Sequence, residues 1–94
     1  MSNTKSFTLE ILTPDKLFFQ GEVESLEAPS LVGSFGVLKS HAPMLAVLKK
    51  GIVKYKHGEA LKEIKVEEGF VEVLPDKVRI LVEGCEECLN QKKR

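Results

Sequence analysis

Ser40 and His41 stand side by side, and a hydroxyl next to an imidazole is the beginning of a nucleophile–base pair. On an extended chain, however, neighbours point to opposite faces, and no third group that would orient the imidazole is identifiable. A histidine at a corner with Pro43 reads more simply as a hydrogen-bonded loop residue. Cys85 and Cys88 form a Cys-x-x-Cys. A zinc site needs four ligands, and the only histidines are His41 and His57. A redox motif belongs at a helix start after a strand. Here it follows the last strand-like run and lies among glutamates, which raise a thiol pKa. Ordinary reduced thiols are the simpler reading. Glu67-Glu68 and Glu86-Glu87 could pair carboxylates around a cation, but each reads as an exposed strand end or tail. Gly33-x-x-Gly36 lacks the Gly-Lys-Ser/Thr and the helix of a phosphate loop. The set yields no catalytic, metal or cofactor residues, and the expectation is a chain without chemistry of its own.

The bulk composition narrows the partners. The chain has 94 residues, enough for one domain, with 14 basic and 14 acidic side chains and no net charge. It has no basic field for nucleic acid or an anionic membrane. Lys92-Lys93-Arg94 reads as a solvated basic end. No apolar run approaches the roughly 18–20 residues that span a bilayer, and residues 1–6 lack the apolar centre of a signal peptide. The expectation is a cytoplasmic protein with no direct membrane insertion, able to sit at a membrane through a partner.

The elements that must position these residues are strands. Residues 6–13 alternate, with Phe7, Leu9 and Ile11 on one face. A short run, Leu17-Phe18-Phe19, closes at Gln20-Gly21. In residues 22–28 the apolar phase slips from Val23 to Leu26 and Ala28, which predicts a bulge or a bend between sheets, with Pro29-Ser30 as its end. Further strands follow on either side of a His57-Gly58-Glu59 hairpin turn, and a Pro75-Asp76-Lys77 turn separates two more. About nine or ten short strands at this spacing predict an antiparallel β-sandwich or flattened barrel over 1–84. A short polar tail or helix fragment is expected over 85–94.

The stretch Gly33–Gly51 contains the most distinctive spacing. Two glycines bracket Phe35, a stiff Ser40–Pro43 corner follows, and an apolar run from Met44 to Leu48 ends in Lys49-Lys50-Gly51. Phe35 is either a core plug or an exposed contact at a loop tip. Of Met44 and Leu45, only one can face the domain's own core. A rigid, partly apolar corner suits docking better than turnover.

Residues 33–45, Gly-Ser-Phe-Gly-Val-Leu-Lys-Ser-His-Ala-Pro-Met-Leu, resemble the hallmark of the epsilon subunit of bacterial F-type ATP synthase. Residues 68–81 are similar to the Gly-Gly-x-x-Glu-Val-x-Pro segment of that family. Leu9–Pro14 with Phe19–Val23 resembles its opening. The resemblance runs from about Phe7 to Glu83 in consistent order. It implies a β-sandwich at the foot of the rotating central stalk of a proton-translocating synthase, on the cytoplasmic face of the bacterial inner membrane. Its partners there would be the gamma subunit and the ring of c subunits. By matching position, Thr13, His41 and Ala46 fall where the family meets gamma, and Met44 is added from the same segment. Leu31, Val32, Ser34 and Phe35 fall where the family touches the c ring. The family's two-helix C-terminal element has no counterpart here, so the expected role is docking and coupling rather than inhibition. The competing readings are a β-sandwich interaction module with another partner and a small redox protein built on Cys85 and Cys88.

Overall fold

Apolar residues at every second position dictate the architecture, because each strand can bury one face only. The computed structural model describes residues 6–30 and 43–87, together with the backbone of 33–37. The strands are β1 (Phe7–Leu12), β2 (Leu17–Val23), β3 (Ser25–Ser30), β4 (Gly33–Val37), β5 (Met44–Leu48), β6 (Gly51–His57), β7 (Ala60–Val66), β8 (Gly69–Leu74), β9 (Lys77–Val82) and β10 (Cys85–Glu87). No helix occurs among the described residues. The expected all-β sandwich or flattened barrel is observed.

The strands follow the order β10-β7-β6-β3-β5-β8-β9-β1-β2, with β4 paired to β3. All pairings are antiparallel except β1 with β9. The β3–β5 link is a single pair, Ser30 with Leu48, so the sheet folds there into two layers. Between the layers lie Phe7, Leu9, Ile11, Val71, Val73, Val78 and Ile80 from one side and Leu26, Val53, Tyr55, Ile64 and Val66 from the other. Each large side chain of this kind contributes on the order of 1.5–3 kcal/mol by leaving water.

The β2 edge also meets β6 of the other layer. Phe19 of β2 stacks at 4.8 Å on Tyr55 of β6, and the His57 ring packs edge-on against Phe19 at 5.5 Å. His57 Nδ1 lies 2.7 Å from the Glu22 carbonyl oxygen. The Glu24 amide donates to the Lys56 carbonyl at 2.9 Å. These contacts nearly close the barrel, which leaves less free edge.

Two glycines are required by geometry. Gly58, at the tip of the β6–β7 hairpin, has φ +66°, which side-chain-bearing residues rarely adopt. A Cβ at Gly69 would lie 2.0 Å from the Leu81 carbonyl oxygen and 2.7 Å from the Val82 Cα, so β8 can approach β9 this closely only without a side chain.

Three boundaries differ from the sequence reading. The apolar run at Leu17 does not close at Gln20-Gly21; β2 continues to Val23, because β1 pairs with it through Phe7. β3 does not end before Pro29 but runs to Ser30, with Pro29 paired to Ser34. The chain from Cys85 onward re-enters the sheet, as Cys85–Glu87 pairs with Val66–Ile64. The phase slip predicted after Val23 is the bend at Glu24, where the chain leaves β1 and crosses to β6.

Candidate docking face

Strand register assembles a surface that no single segment displays. On the outer face of the β2-β1-β9-β8-β5 layer, Leu17 pairs with Leu12, Leu12 with Leu81, Leu81 with Phe70 and Phe70 with Val47. The five side chains form one apolar row across five strands, about 19 Å long at ~4.8 Å per strand. Phe70 is 50% exposed, Leu17 48%, Val47 44% and Leu81 41%. Leu45, one pleat away from Val47, is 70% exposed and widens the row.

Two polar rows flank it. On one side Glu10, Arg79 and Glu72 lie across β1, β9 and β8. Arg79 Nε donates to Glu10 Oε1 at 3.1 Å, and its Nη1 to Glu72 Oε1 at 3.4 Å. Lys77 Nζ is 3.5 Å from Glu10 Oε2, which also accepts from Gln20 Nε2 at 3.2 Å. The Arg79 hydrogen bond, assisted by Lys77, holds the Glu10 carboxyl below its ordinary pKa despite the opposing effect of burial. Two carboxylates meet two cations, so this rim is neutral within itself. On the other side lie Glu68 and Glu83, beside a groove of about 230 Å³ floored by Leu12, Phe70 and Leu81 and walled by Thr13 and Pro14.

The positions expected to touch gamma are divided by this geometry. Thr13 lines the groove at the end of the apolar row, its hydroxyl 3.4 Å from the Lys16 carbonyl. Ala46 and Met44 lie on the opposite face of β5, paired with the buried Val71 and Val73. Ala46 packs on the core, and Met44, at the strand end, stays 44% exposed. The choice left open between Met44 and Leu45 therefore falls to Leu45 as the outward residue. His41 lies outside the described residues. Of the expected c-ring positions, Ser34 and Phe35 lie on β4, paired with Pro29 and Ala28; Leu31 and Val32 lie outside the described residues. The alternatives for the Phe35 side chain lie outside the described side chains. Phe70, Leu81, Leu12, Leu17 and Val47 were missed by sequence reasoning. Their signal was an apolar residue in the outward phase of an alternating strand, as in Ile80-Leu81-Val82.

The chemical candidates resolve into ordinary surroundings. Cys85 is half-buried on β10, and burial pushes its thiol pKa up against a smaller opposing effect of Lys16. The direction matches the sequence reading, but the cause is burial and not the neighbouring glutamates. Cys88 lies outside the described residues. Glu67, Glu86 and Glu87 face Lys50, Lys65 and Lys62 at 3.9, 4.0 and 3.8 Å, exposed pairs worth less than ~1 kcal/mol each. Among the described residues no three His, Cys, Asp or Glu side chains gather as a metal site would require.

A sandwich with a rigid apolar outer row is the build of a docking domain. Residues 6–88 match the family of the ATP synthase, Delta/Epsilon chain, beta-sandwich domain. The chain belongs to that family. It is 47% identical over 83 residues to the ATP synthase epsilon chain of Chlorobaculum tepidum, covering 87% of this chain and 94% of that one. It is 46% identical over 83 residues to the epsilon chain of Chlorobium limicola, with the same coverage. With the epsilon chain of Leptospira borgpetersenii it shares 43% over 75 residues, 80% of this chain but 59% of the other. Among solved structures, a chain of the Euglena gracilis mitochondrial ATP synthase superposes with a TM-score of 0.84 at 20% identity, covering 93% of this chain and 56% of that one. A chain of the Tetrahymena thermophila central stalk and c-ring gives 0.74 at 19% identity, covering 84% and 64%. At such identities the likeness shows the fold. The epsilon-chain relatives are subunits of a synthase complex, not enzymes in their own right.

Proposed function

We propose that this chain is a non-catalytic central-stalk subunit of a proton-translocating F-type ATP synthase, which docks gamma onto the c ring on the cytoplasmic face of the bacterial inner membrane. The uncovered apolar row from Leu17 to Val47 carries the reading. Such a row on an otherwise charged surface needs a partner to leave water. Gamma contacts it through Phe70 and Leu81, with Thr13 at its edge. His41, Met44 and Ala46 remain contact candidates on the resemblance alone. The β3–β4 hairpin, with Leu31, Val32, Ser34 and Phe35, meets the c ring. The residues rest on the resemblance alone; the ring as a partner accords with the Tetrahymena neighbour, a chain of a central stalk and c-ring.

The mechanical requirement fits the fold. Torque passes through a subunit only if the subunit does not shear, and two sheets packed on a dense core and joined at the β3–β5 link and the β2–β6 contact resist it. The test is calorimetry of the purified chain with purified gamma. A one-to-one complex is expected. A folded chain that gives no heat with gamma at two temperatures and does not co-elute with it overturns the proposal.

A further inference from the structure

The two rims of the apolar row differ in charge balance. Beyond Phe70 and Leu81 on one side, Glu72 and Glu10 are matched by Arg79 and Lys77. On the other side, the same outward pleat continues to Glu68 on the approach to β8 and Glu83 on the exit from β9. The Glu83 amide donates to the Glu68 carbonyl at 3.1 Å, which holds the two residues side by side. Both residues line the groove, together with Leu12, Pro14, Phe70 and Leu81. Neither carboxylate has an ion-pair partner among the described residues, whereas the adjacent Glu67 faces Lys50. Like charges opposed across a strand pair repel, and a cation between them removes that cost.

We infer that the segment of gamma filling this groove carries a lysine or arginine next to an apolar side chain. The apolar group lies on Phe70, Leu81 and Pro14, while the cation reaches between Glu68 and Glu83. This rests on the reading that gamma is the partner, and it specifies the chemistry gamma must present. The apolar row supplies the affinity, and the acid pair sets the register: it accepts one orientation of the segment and rejects an acidic one. A floor of leucine and phenylalanine alone would not distinguish those orientations.

The experiment is titration of gamma with the wild-type chain and with the double variant E68Q/E83Q, at about 50 and 500 mM NaCl. The Debye length falls from more than 10 Å to a few ångströms across that range. The variant is expected to bind about five- to tenfold more weakly at low salt and equally at high salt, with a melting temperature equal to or slightly above that of the wild type, since the repulsion between the two carboxylates is relieved. Equal binding by both chains at low salt overturns the inference and leaves gamma docking intact. No binding by the wild-type chain overturns both. The chain's own Lys92-Lys93-Arg94 is the rival occupant. If removing residues 91–94 tightens gamma binding and E68Q/E83Q abolishes that gain, the basic end fills the groove and the inference fails.

Discussion

Each layer of the sandwich turns an outer surface to solvent, and the two surfaces differ in kind. On the β7-β6-β3 layer, Lys54 stands between Glu63 and Glu27, and Lys65 faces Glu86 at 4.0 Å. Among the described residues its two exposed large apolar side chains, Leu61 and Ile52, are isolated, each opposite a lysine. On the β2-β1-β9-β8-β5 layer the outward apolar residues are aligned strand by strand into one row. The inward faces are alike: Val53, Tyr55, Ile64 and Val66 on one layer, Val71, Val73, Val78 and Ile80 on the other. Alternation builds both layers equally well, so the fold gives no reason for the apolar row. Apolar side chains scattered singly are normal on a surface, while a contiguous row marks an interface.

The comparison can be broken most severely at Gly69, where the apolar face depends on the closest approach of two strands. Gly69→Val should cost about 3 kcal/mol or more, because the Leu81 carbonyl cannot retreat without breaking the β8–β9 ladder. In urea melts the midpoint should fall sharply; a midpoint within error of wild type would mean that β8 can shift at no cost. The next effect concerns binding alone. Phe70→Ser should weaken gamma binding by roughly 30- to 100-fold, as for a central apolar anchor, with little loss of stability. Leu61→Ser, at the most exposed large apolar residue among those described and on the other face, should leave affinity unchanged. Equal losses from both substitutions would erase the distinction between the faces.

Smaller effects come from titration. Glu10 has its pKa lowered in the folded state, chiefly by the Arg79 hydrogen bond, so its contribution is present above the ordinary carboxylate range and lost as the pH falls through the depressed pKa. Glu10→Gln should therefore lower stability at pH 7 and flatten the acid limb of the stability curve. An acid limb identical to that of wild type would show that the Arg79 contact is not maintained in solution. Tyr55 lies at the seam between the layers, and burial, then Glu87 and Cys85, push its phenol up to about 12. With the folded pKa raised, the stabilisation holds below about pH 10 and disappears as the pH rises through 12. Absorbance of the phenolate should rise near pH 12; a rise near 10 in the folded chain would mean that the seam is open. Lys54→Gln on the charged face should change stability by less than about 0.5 kcal/mol and gamma affinity not at all, as measured by urea melts and calorimetry.

Much of this protein was legible in one dimension. Phe7, Leu9 and Ile11, and again Val78, Ile80 and Val82, announce half-buried strands by period alone, and they are buried as that period requires. Gly58 marks a turn because only it accepts the φ found there. The run from Gly33 to Leu45 pointed to the family, since the order and spacing of motifs survive without knowledge of packing. What sequence could not supply was register. Leu12, Leu81, Phe70 and Val47 are scattered along the chain, and only strand pairing places them in line. Nor could local pattern place Cys85–Glu87 in a sheet, because its pairing with Val66–Ile64 becomes available only once β7 is in position. Period is a property of neighbours in sequence, which share a backbone geometry. An interface, or an imbalance of charge along one rim of it, is a property of neighbours in space, and the hydrogen-bond ladder alone decides which residues those are.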